Sequence, residues 1–271
     1  MSEQELDESR VGFKLRDADR EDGGLLAMVL DLMAAKPSVR TLKAWALDAL
    51  APAVGEAALD VGSGTGEDLA ELLDRVGPSG RAVGVEPNRG LRTVARERHP
   101  SLELVDGIAS ALPFDGASFD VVRCERVLQH VDDAPAAARE MARVLRPGGR
   151  ICLIDTDWAT AIVHPADPEV LGRMIDFFHT ESANPYSGRT LRGLLADAGL
   201  TVAGETAATW IEPQSGAKQG FLSMMGKTSV AAGVITAAEA EAFHRGLEEA
   251  ADRGAFHMSL TMYAVAATKS A

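Results

Sequence analysis

The sequence predicts an α/β fold, in which a doubly wound, mostly parallel sheet is covered by helices on both faces and closed by a helical lid. Three observations favour this fold class. Short apolar runs, typical of strands buried on both faces, alternate with amphipathic helical stretches. A glycine-rich bend joins the first strand to the helix that follows it. The 271 residues are 46% hydrophobic, which is enough for one sizeable core.

Two helices are predicted before the first strand. Apolar residues recur at helical spacing from 24 to 50, and Pro37 divides this stretch in two. The period then changes, and seven strands follow with helices between most of them. The predicted strands span residues 57–61, 81–85, 101–105, 119–124, 150–154, 200–210 and 259–268. The helices among them are predicted at 67–76, 89–98, 134–145, 170–178 and 191–198.

The charge balance restricts the class of partner. Asp and Glu total 40 against 27 Lys and Arg, so the formal net charge is -13. Such a chain repels phosphate backbones and anionic lipids, which excludes nucleic acid and membrane as expected partners. No apolar signal segment or membrane-length run is present, and Cys124 and Cys152 lie inside strand-like runs. We therefore expect a cytoplasmic protein with a small-molecule substrate, no disulfide and no metal site, and we leave homo-oligomer formation open.

The most informative segment is the glycine-rich bend at 62–66, followed directly by Glu67 and Asp68. Glycines let the backbone turn sharply and let a ligand approach it closely. A dinucleotide fingerprint, however, needs its third glycine where Glu67 stands. The two acidic residues also put negative charge at the helix terminus that a pyrophosphate would use. The bend therefore favours a ligand that has no phosphate and carries a cation, and it disfavours a nicotinamide oxidoreductase.

The segment ALDVGSGTG at 58–66 resembles motif I of class I S-adenosylmethionine-dependent methyltransferases. The resemblance continues, in order and spacing, over 83–88, 110–114, 119–133 and 143–157. It is strongest to the ubiquinone/menaquinone-biosynthesis and natural-product methyltransferases. It implies a seven-stranded Rossmann-like sheet and an enzyme that methylates a small metabolite, with oxygen expected as the acceptor atom. Carbon or nitrogen methylation of a quinone, polyketide or amine is the alternative, and a cofactor-binding protein without methyl transfer is a further one.

The order of the predicted elements along the chain also indicates a domain organisation. Residues 1–54 would form an N-terminal helical lid segment, and 55–156 the cofactor-binding Rossmann-like core. The alternation of strands and helices pauses after the fifth strand, so 157–187 is interpreted as a lid insertion rather than part of the sheet. Residues 188–271 would complete the core, with a helical insertion at 213–257.

Most of the cofactor contacts follow from the resemblance residue by residue. Glu86, at the end of the second strand, would accept hydrogen bonds from both ribose hydroxyls. Asp60 would organise the loop and the amino end of the methionine moiety, and Pro87 and Asn88 would flank the adenine. The remaining residues implied along the loop and at the end of the fourth strand are Gly62, Ser63, Gly64, Gly66, Cys124 and Glu125.

The adenine contact departs from the family's pattern. Relatives carry an acidic residue that reads the adenine amino group, and the matching position here is Ile108, within the segment from Gly107 to Ala109. Either Asp106 takes this role, or backbone groups near Ala109 do.

Transfer to a hydroxyl benefits from a general base, and His130 is the candidate because it follows the fourth strand. Asp155 or Asp157 would orient its imidazole, as a carboxylate does in other enzymes. The alternative is a structural histidine that packs against the turn at 132–133. Arg40 or Lys43 would reach the methionine carboxylate. The candidates for the acceptor cavity are Trp158, His164, Tyr186, Phe221 and Met225.

Overall fold

The structure is a computed structural model that describes residues 23–218 and 220–271. A seven-stranded sheet lies at the centre, in the order β3-β2-β1-β4-β5-β7-β6. All neighbouring strands are parallel except β7, which runs antiparallel to both β5 and β6. The strands are β1 (Ala57–Val61), β2 (Arg81–Val85), β3 (Glu103–Val105), β4 (Phe119–Glu125), β5 (Leu145–His164), β6 (Thr201–Ile211) and β7 (His257–Thr268).

Helices flank the sheet and connect its strands. They are α1 (Gly23–Ala34), α2 (Pro37–Leu50), α3 (Glu67–Val76), α4 (Arg89–Arg98), α5 (Ala134–Val144), α6 (Pro168–Glu181), α7 (Ser187–Asp197), α8 (Phe221–Ala231) and α9 (Ala237–Asp252). Short 3-10 turns cover Leu128–His130 and Gln214–Ala217. Within the described part of the chain, no helix has the length and apolar character needed to cross a bilayer.

Each face of the sheet is buried by its own helices. Leu59 and Val122 belong to the face packed by α5 and α7, whereas Ala58 and Val121 belong to the face packed by α2 and α3. Because side chains alternate along a strand, Asp60 lies on the same face as Ala58. A third apolar cluster joins α6, α8 and α9 to the far ends of β5, β6 and β7. The predicted fold class is confirmed.

The prediction that the chain leaves the sheet after Asp155 is wrong for residues 157–164. These residues continue β5, and its last three residues pair with the first residues of β7, so that His164 lies opposite His257. The pairing is long-range, and therefore it left no periodic signal in the local sequence. Residues 147–149, which lie between the predicted helix and the predicted fifth strand, also belong to β5, as an irregularity in its pairing with β4. Residues 1–22 of the proposed N-terminal lid segment lie outside the described residues.

Candidate functional site

The glycine loop follows β1 at the carboxyl edge of the sheet. Gly62, Gly64 and Gly66 have φ angles of 74°, 54° and 85°, which favour glycine. The Gly62 N–H donates to the Val85 carbonyl at 2.7 Å and so fixes the loop against β2. A Cβ atom on Gly62 would lie 2.2 Å from Cγ2 of Val127. Glycine is therefore required at this position both by the backbone and by the close approach of the segment after β4.

Glu86 joins the glycine loop to the start of α4. Its carboxylate accepts hydrogen bonds from the N–H of Gly64 at 3.0 Å and from the N–H of Asn88 at 2.8 Å. Asn88 in turn caps α4, because its Oδ1 accepts from the Leu91 N–H at 2.9 Å. Burial raises the pKa of Glu86, and the two backbone N–H donors oppose that rise. The predicted ribose-binding carboxylate is thus held rigidly between the two segments that a bound nucleoside would contact.

A buried arginine on α4 organises the neighbouring wall. Arg92 donates to both carboxylate oxygens of Asp106, each at 3.0 Å, and to the Pro87 carbonyl at 2.8 Å. The Asp106 carboxylate is therefore engaged with Arg92, while the Ile108 side chain is 38% exposed and Ala109 is buried. Arg92 was not among the site residues predicted from the sequence. Its signal was its place beside Leu91 on the inner face of an otherwise polar helix.

A cluster of charges lies beneath the loop on the face of the sheet that α2 and α3 cover. Arg123 is buried next to Asp60 in the register of β1 and β4, with Nη1 3.4 Å from Asp60 Oδ1 and 3.0 Å from Asp68 Oδ2. It also pairs with Glu125. Lys43 reaches Asp68 at 2.7 Å. Burial raises the pKa of Asp60 to about 7 against the opposing charge of Arg123, whereas Arg123 and Lys43 outweigh burial at Asp68 and lower its pKa.

Two oppositely charged atoms beside this cluster have no hydrogen-bond partner among the described residues. They are Oε1 of Glu125 and Nε of Arg126, both buried and 3.3 Å apart. Nζ of Lys43 lies 3.8 Å from the same Glu125 oxygen. These two atoms form an ion pair but keep unused hydrogen-bonding capacity at the end of β4, next to Gly62, and so they suit a zwitterion such as the α-amino acid end of methionine. The residues present therefore fit S-adenosylmethionine.

Cys124, also expected near the cofactor, lies on the other face of the sheet in the cluster that contains Leu59 and Val122. Burial raises the pKa of its thiol well above the ordinary value. Cys152 is a free, buried thiol as well.

Asp155 is fully buried at the carboxyl end of the β5 core. Its carboxylate accepts hydrogen bonds from the Gln129 N–H at 3.0 Å, the Ser187 hydroxyl at 2.9 Å and the Thr156 N–H at 2.8 Å. Burial raises the pKa of Asp155 to about 7, in spite of these donors. Among the described residues, no hydrogen bond joins this carboxylate to His130, so the structure does not bring Asp155 together with the imidazole that it was expected to orient. The nearer backbone and hydroxyl donors take up its oxygens instead.

Asp157 is also engaged elsewhere. Its carboxylate forms a two-pronged ion pair with Arg189 on α7 and accepts from the Ala159 N–H at 3.2 Å. Asp157 therefore does not orient His130 either. His130 ends the 3-10 turn after β4, is half-buried, and donates its backbone N–H to the Val127 carbonyl at 2.9 Å.

Three aromatic rings, one from the second half of β5 and one each from α6 and α8, form one wall. Trp158 stacks on Phe221 with ring centroids 5.0 Å apart, and Phe178 meets both rings edge-on at 5.0 and 5.2 Å. Met225 is buried in the same cluster. The indole N–H of Trp158 donates to Oε1 of Gln129 at 2.7 Å. We call Trp158, Phe178 and Phe221 the aromatic wall.

The structure does not bring the other predicted acceptor residues into this wall. His164 is exposed at the end of β5, on a strand rather than on the predicted loop over the pocket. Tyr186 is 42% exposed and its hydroxyl lies 3.5 Å from Nδ1 of His179. The Arg189 guanidinium lies 5.1 Å from the centre of the Tyr186 ring. Among the described residues, no group of three His, Cys, Asp or Glu side chains is arranged to hold a metal.

Comparisons with known proteins agree with this geometry. Residues 59–153 match the family described as methyltransferase domain. An uncharacterized 37.1 kDa protein from a transposon of Streptomyces fradiae is 36% identical over 245 residues, covering 88% of this chain and 70% of the relative. A demethylmenaquinone methyltransferase of Shouchella clausii is 30% identical over 167 residues, covering 59% of this chain and 68% of the relative.

The fold is shared with a solved structure of geranyl diphosphate C-methyltransferase from Streptomyces coelicolor, which holds Mg²⁺, geranyl diphosphate and S-adenosyl-L-homocysteine. The TM-score is 0.54 at 16% identity, and the match covers 85% of this chain and 79% of that one. The resemblance seen in the sequence motifs is confirmed. The chain belongs to the class I S-adenosylmethionine-dependent methyltransferases, with S-adenosylmethionine as its cofactor.

Proposed function

We propose that this enzyme transfers the methyl group of S-adenosylmethionine to a hydroxyl oxygen of a small, flat, apolar acceptor of natural-product or quinone-type biosynthesis. The observation that carries the proposal is the position of the aromatic wall. Trp158 is bonded to Gln129, which belongs to the segment that follows β4 and packs against the glycine loop through Val127. An acceptor lying on the wall would therefore be held beside the segment that borders the glycine loop, where in-line displacement would require its oxygen to approach the methyl group from the side opposite the sulfur.

The residues of the site would bind different parts of the cofactor and the acceptor. Glu86 would bind the ribose, and Asn88, Pro87 and the Gly107–Ala109 segment would border the adenine. Glu125 and Arg126 would hold the ends of the methionine zwitterion. His130 would take the proton of the acceptor hydroxyl as the new bond forms. The cofactor supplies the electrophilic methyl group, so positioning and exclusion of water are the main tasks of the chain.

A specific observation supports a second candidate, methylation of a ring carbon. The relative from Shouchella clausii is named a demethylmenaquinone methyltransferase, and neither Asp155 nor Asp157 contacts His130 here. An acidic ring position makes less demand on an oriented base than a hydroxyl does.

One substrate separates the two candidates, namely a naphthoquinol that carries both free hydroxyls and an unmethylated ring carbon. The protein is incubated with this quinol and with S-adenosylmethionine labelled with carbon-13 in the methyl group. Formation of S-adenosylhomocysteine reports turnover, and the carbon shift of the product distinguishes a methoxy from a ring methyl group. A methoxy product supports our proposal and a ring methyl product supports the second candidate, whereas no turnover of this quinol or of a panel of simple phenols would contradict both.

The role of His130 is tested on the same reaction. His130→Asn is expected to slow oxygen methylation by roughly 10²–10⁴-fold and to remove the loss of rate at acid pH. His257→Asn, which alters a histidine at the start of β7, is the matched control and should leave the rate unchanged. An unchanged rate and pH profile in His130→Asn would show that this histidine is structural.

We also propose that α1 acts as the N-terminal lid. A Cβ atom on Gly64 would lie 3.2 Å from Cδ1 of Leu30, so α1 passes directly over the glycine loop. Arg98 of α4 binds both carboxylate oxygens of Asp31 at 2.8 Å and fixes α1 in this place. Entry and release of the cofactor would therefore require α1 to move. The part of the predicted lid insertion that lies outside β5, at 165–187, and the helical insertion at 213–257 would close the acceptor side.

A further inference from the structure

Gln129 is a buried polar residue whose four hydrogen-bonding groups each bond to a different residue of the site. Gln129 was not predicted as a site residue from the sequence, because no sequence motif marks a glutamine in a short turn. We propose that Gln129 is a positioning residue that couples occupancy of the methionine end of the cofactor site to the aromatic wall. This inference rests on the proposed function in one respect, namely that the wall binds the acceptor.

The first link leads to the cofactor. The side-chain amide of Gln129 donates from Nε2 to the Arg126 carbonyl at 3.3 Å. Arg126 has a φ of 53°, unusual for a residue other than glycine, and its N–H donates to the Ile154 carbonyl at 2.8 Å. The Nε of the same residue forms an ion pair with Glu125 but has no hydrogen-bond partner among the described residues. A ligand that engages this guanidinium therefore acts on a bend that Gln129 holds.

The second link leads to the acceptor side. Oε1 of Gln129 accepts the indole N–H of Trp158 at 2.7 Å, and Trp158 stacks on Phe221. The backbone is fixed on both sides, because the Gln129 N–H donates to Asp155 at 3.0 Å and its carbonyl accepts from the Asn184 N–H at 3.1 Å. With its main chain anchored, movement of the residue is confined to the side-chain amide.

The amide orientation makes the two links dependent on each other. Nε2 can only donate and Oε1 can only accept, so the amide has one orientation that satisfies both a carbonyl and an indole N–H. If the Arg126 carbonyl moves and the Gln129 amide rotates to keep its bond to that carbonyl, Oε1 moves as well and its hydrogen bond with the Trp158 indole is displaced. An apolar side chain of equal volume would fill the same space without this dependence.

The test uses the fluorescence of Trp158. The chain has three tryptophans, so replacing Trp45 and Trp210 with phenylalanine leaves Trp158 as the sole reporter. S-adenosylhomocysteine is titrated into this parent while calorimetry records its binding. We expect a shift in Trp158 emission that saturates together with the binding heat.

Two variants at Gln129 then separate coupling from packing. Gln129→Met keeps the volume and removes both side-chain bonds, and Gln129→Glu keeps an acceptor for Trp158 but loses the donor to Arg126. Both should still bind S-adenosylhomocysteine, with a Kd raised by no more than about tenfold, yet lose the emission shift. Gln214→Met is the matched control, because Gln214 also makes two amide bonds, both to the backbone of Phe256. It should retain the full shift.

Kinetics give a second readout once an acceptor is in hand. Gln129→Met is expected to raise the KM of the acceptor about threefold to tenfold, with a smaller effect on the KM of S-adenosylmethionine. An emission shift in Gln129→Met equal to the parent's would overturn the proposal, as would a parent that binds S-adenosylhomocysteine without any shift. The titration needs no acceptor, so its failure leaves the methylation assay untouched, and failure of that assay leaves the titration result standing.

Discussion

Replacing Gly62 with alanine adds one methyl group and is expected to perturb the glycine loop in two separable ways. The first is conformational, because a φ of 74° costs an L-residue about 1–2 kcal/mol. The second is steric, because the new Cβ would lie 2.2 Å from Cγ2 of Val127. Overpacking of this kind typically costs about 1–3 kcal/mol. We therefore expect a loss of about 2–5 kcal/mol in the free energy of unfolding.

Gly148→Ala is the matched control for the first effect. Gly148 has a φ of 76°, and a Cβ there would meet nothing within 4 Å. It should therefore lose only the conformational part, about 1–2 kcal/mol. The double variant Gly62→Ala with Val127→Ala removes the overlapping methyl group, so its two losses should be less than additive.

Urea unfolding with linear extrapolation measures these differences, and calorimetry measures the binding of S-adenosylhomocysteine by the same variants. Gly62→Ala should also weaken binding, whereas Gly148→Ala should not. Equal destabilisation by the two glycine variants, or strictly additive losses in the double variant, would refute the steric contact between the loop and the segment after β4.

Three further predictions concern charges at the site. Glu86→Gln should weaken S-adenosylhomocysteine binding by roughly tenfold or more, measured by calorimetry, because the amide cannot accept from every donor that the carboxylate serves. Asp155 has its pKa raised from an ordinary 3.8 to about 7 in the folded state, so its proton stabilises the fold at low pH and this contribution is lost as pH rises from about 4 to 7. Asp155→Asn should therefore flatten the pH dependence of the unfolding free energy between about pH 4 and 7, by an amount on the order of 4 kcal/mol at most. Asp31→Asn should speed release of S-adenosylhomocysteine several-fold in stopped-flow measurements, because it removes the ion pair that fixes α1.

Each of these predictions has a control and an opposing result. Glu103→Gln, at an exposed pair with Arg81, should leave cofactor affinity unchanged, and an effect equal to that of Glu86→Gln would argue for a general charge effect. The pKa of Asp60 is also raised, so part of the dependence of the unfolding free energy on pH should persist in Asp155→Asn. If the dependence in Asp155→Asn were the same as in the parent, the raised pKa of Asp155 would be contradicted. Glu241→Gln breaks an exposed pair on α9 and should not change cofactor release, whereas equal release rates in Asp31→Asn and the parent would contradict the lid.

The local pattern of residues sufficed for the elements around the glycine loop. The strands at Ala57–Val61 and Arg81–Val85 and the helices at Glu67–Val76 and Arg89–Arg98 have the bounds that apolar periodicity predicted. Their ends are marked by glycine, proline and capping residues, which act within a few positions of the chain. The order of motifs was likewise enough to indicate the cofactor and the family.

The contacts between distant segments required the folded chain. In the sequence, Arg123 is a charged residue within an otherwise apolar strand. Only the pairing of β4 with β1 places it beside Asp60 and within reach of Asp68. The partners of Asp155 and the extension of β5 along β7 are likewise set by segments far away in the chain. The spacing of residues in the sequence indicates which face of a helix or strand a side chain occupies and whether it is buried, because both follow from the geometry of that one element. Which donor satisfies a buried carboxylate depends on which elements pack together, and that is decided only when the whole core assembles.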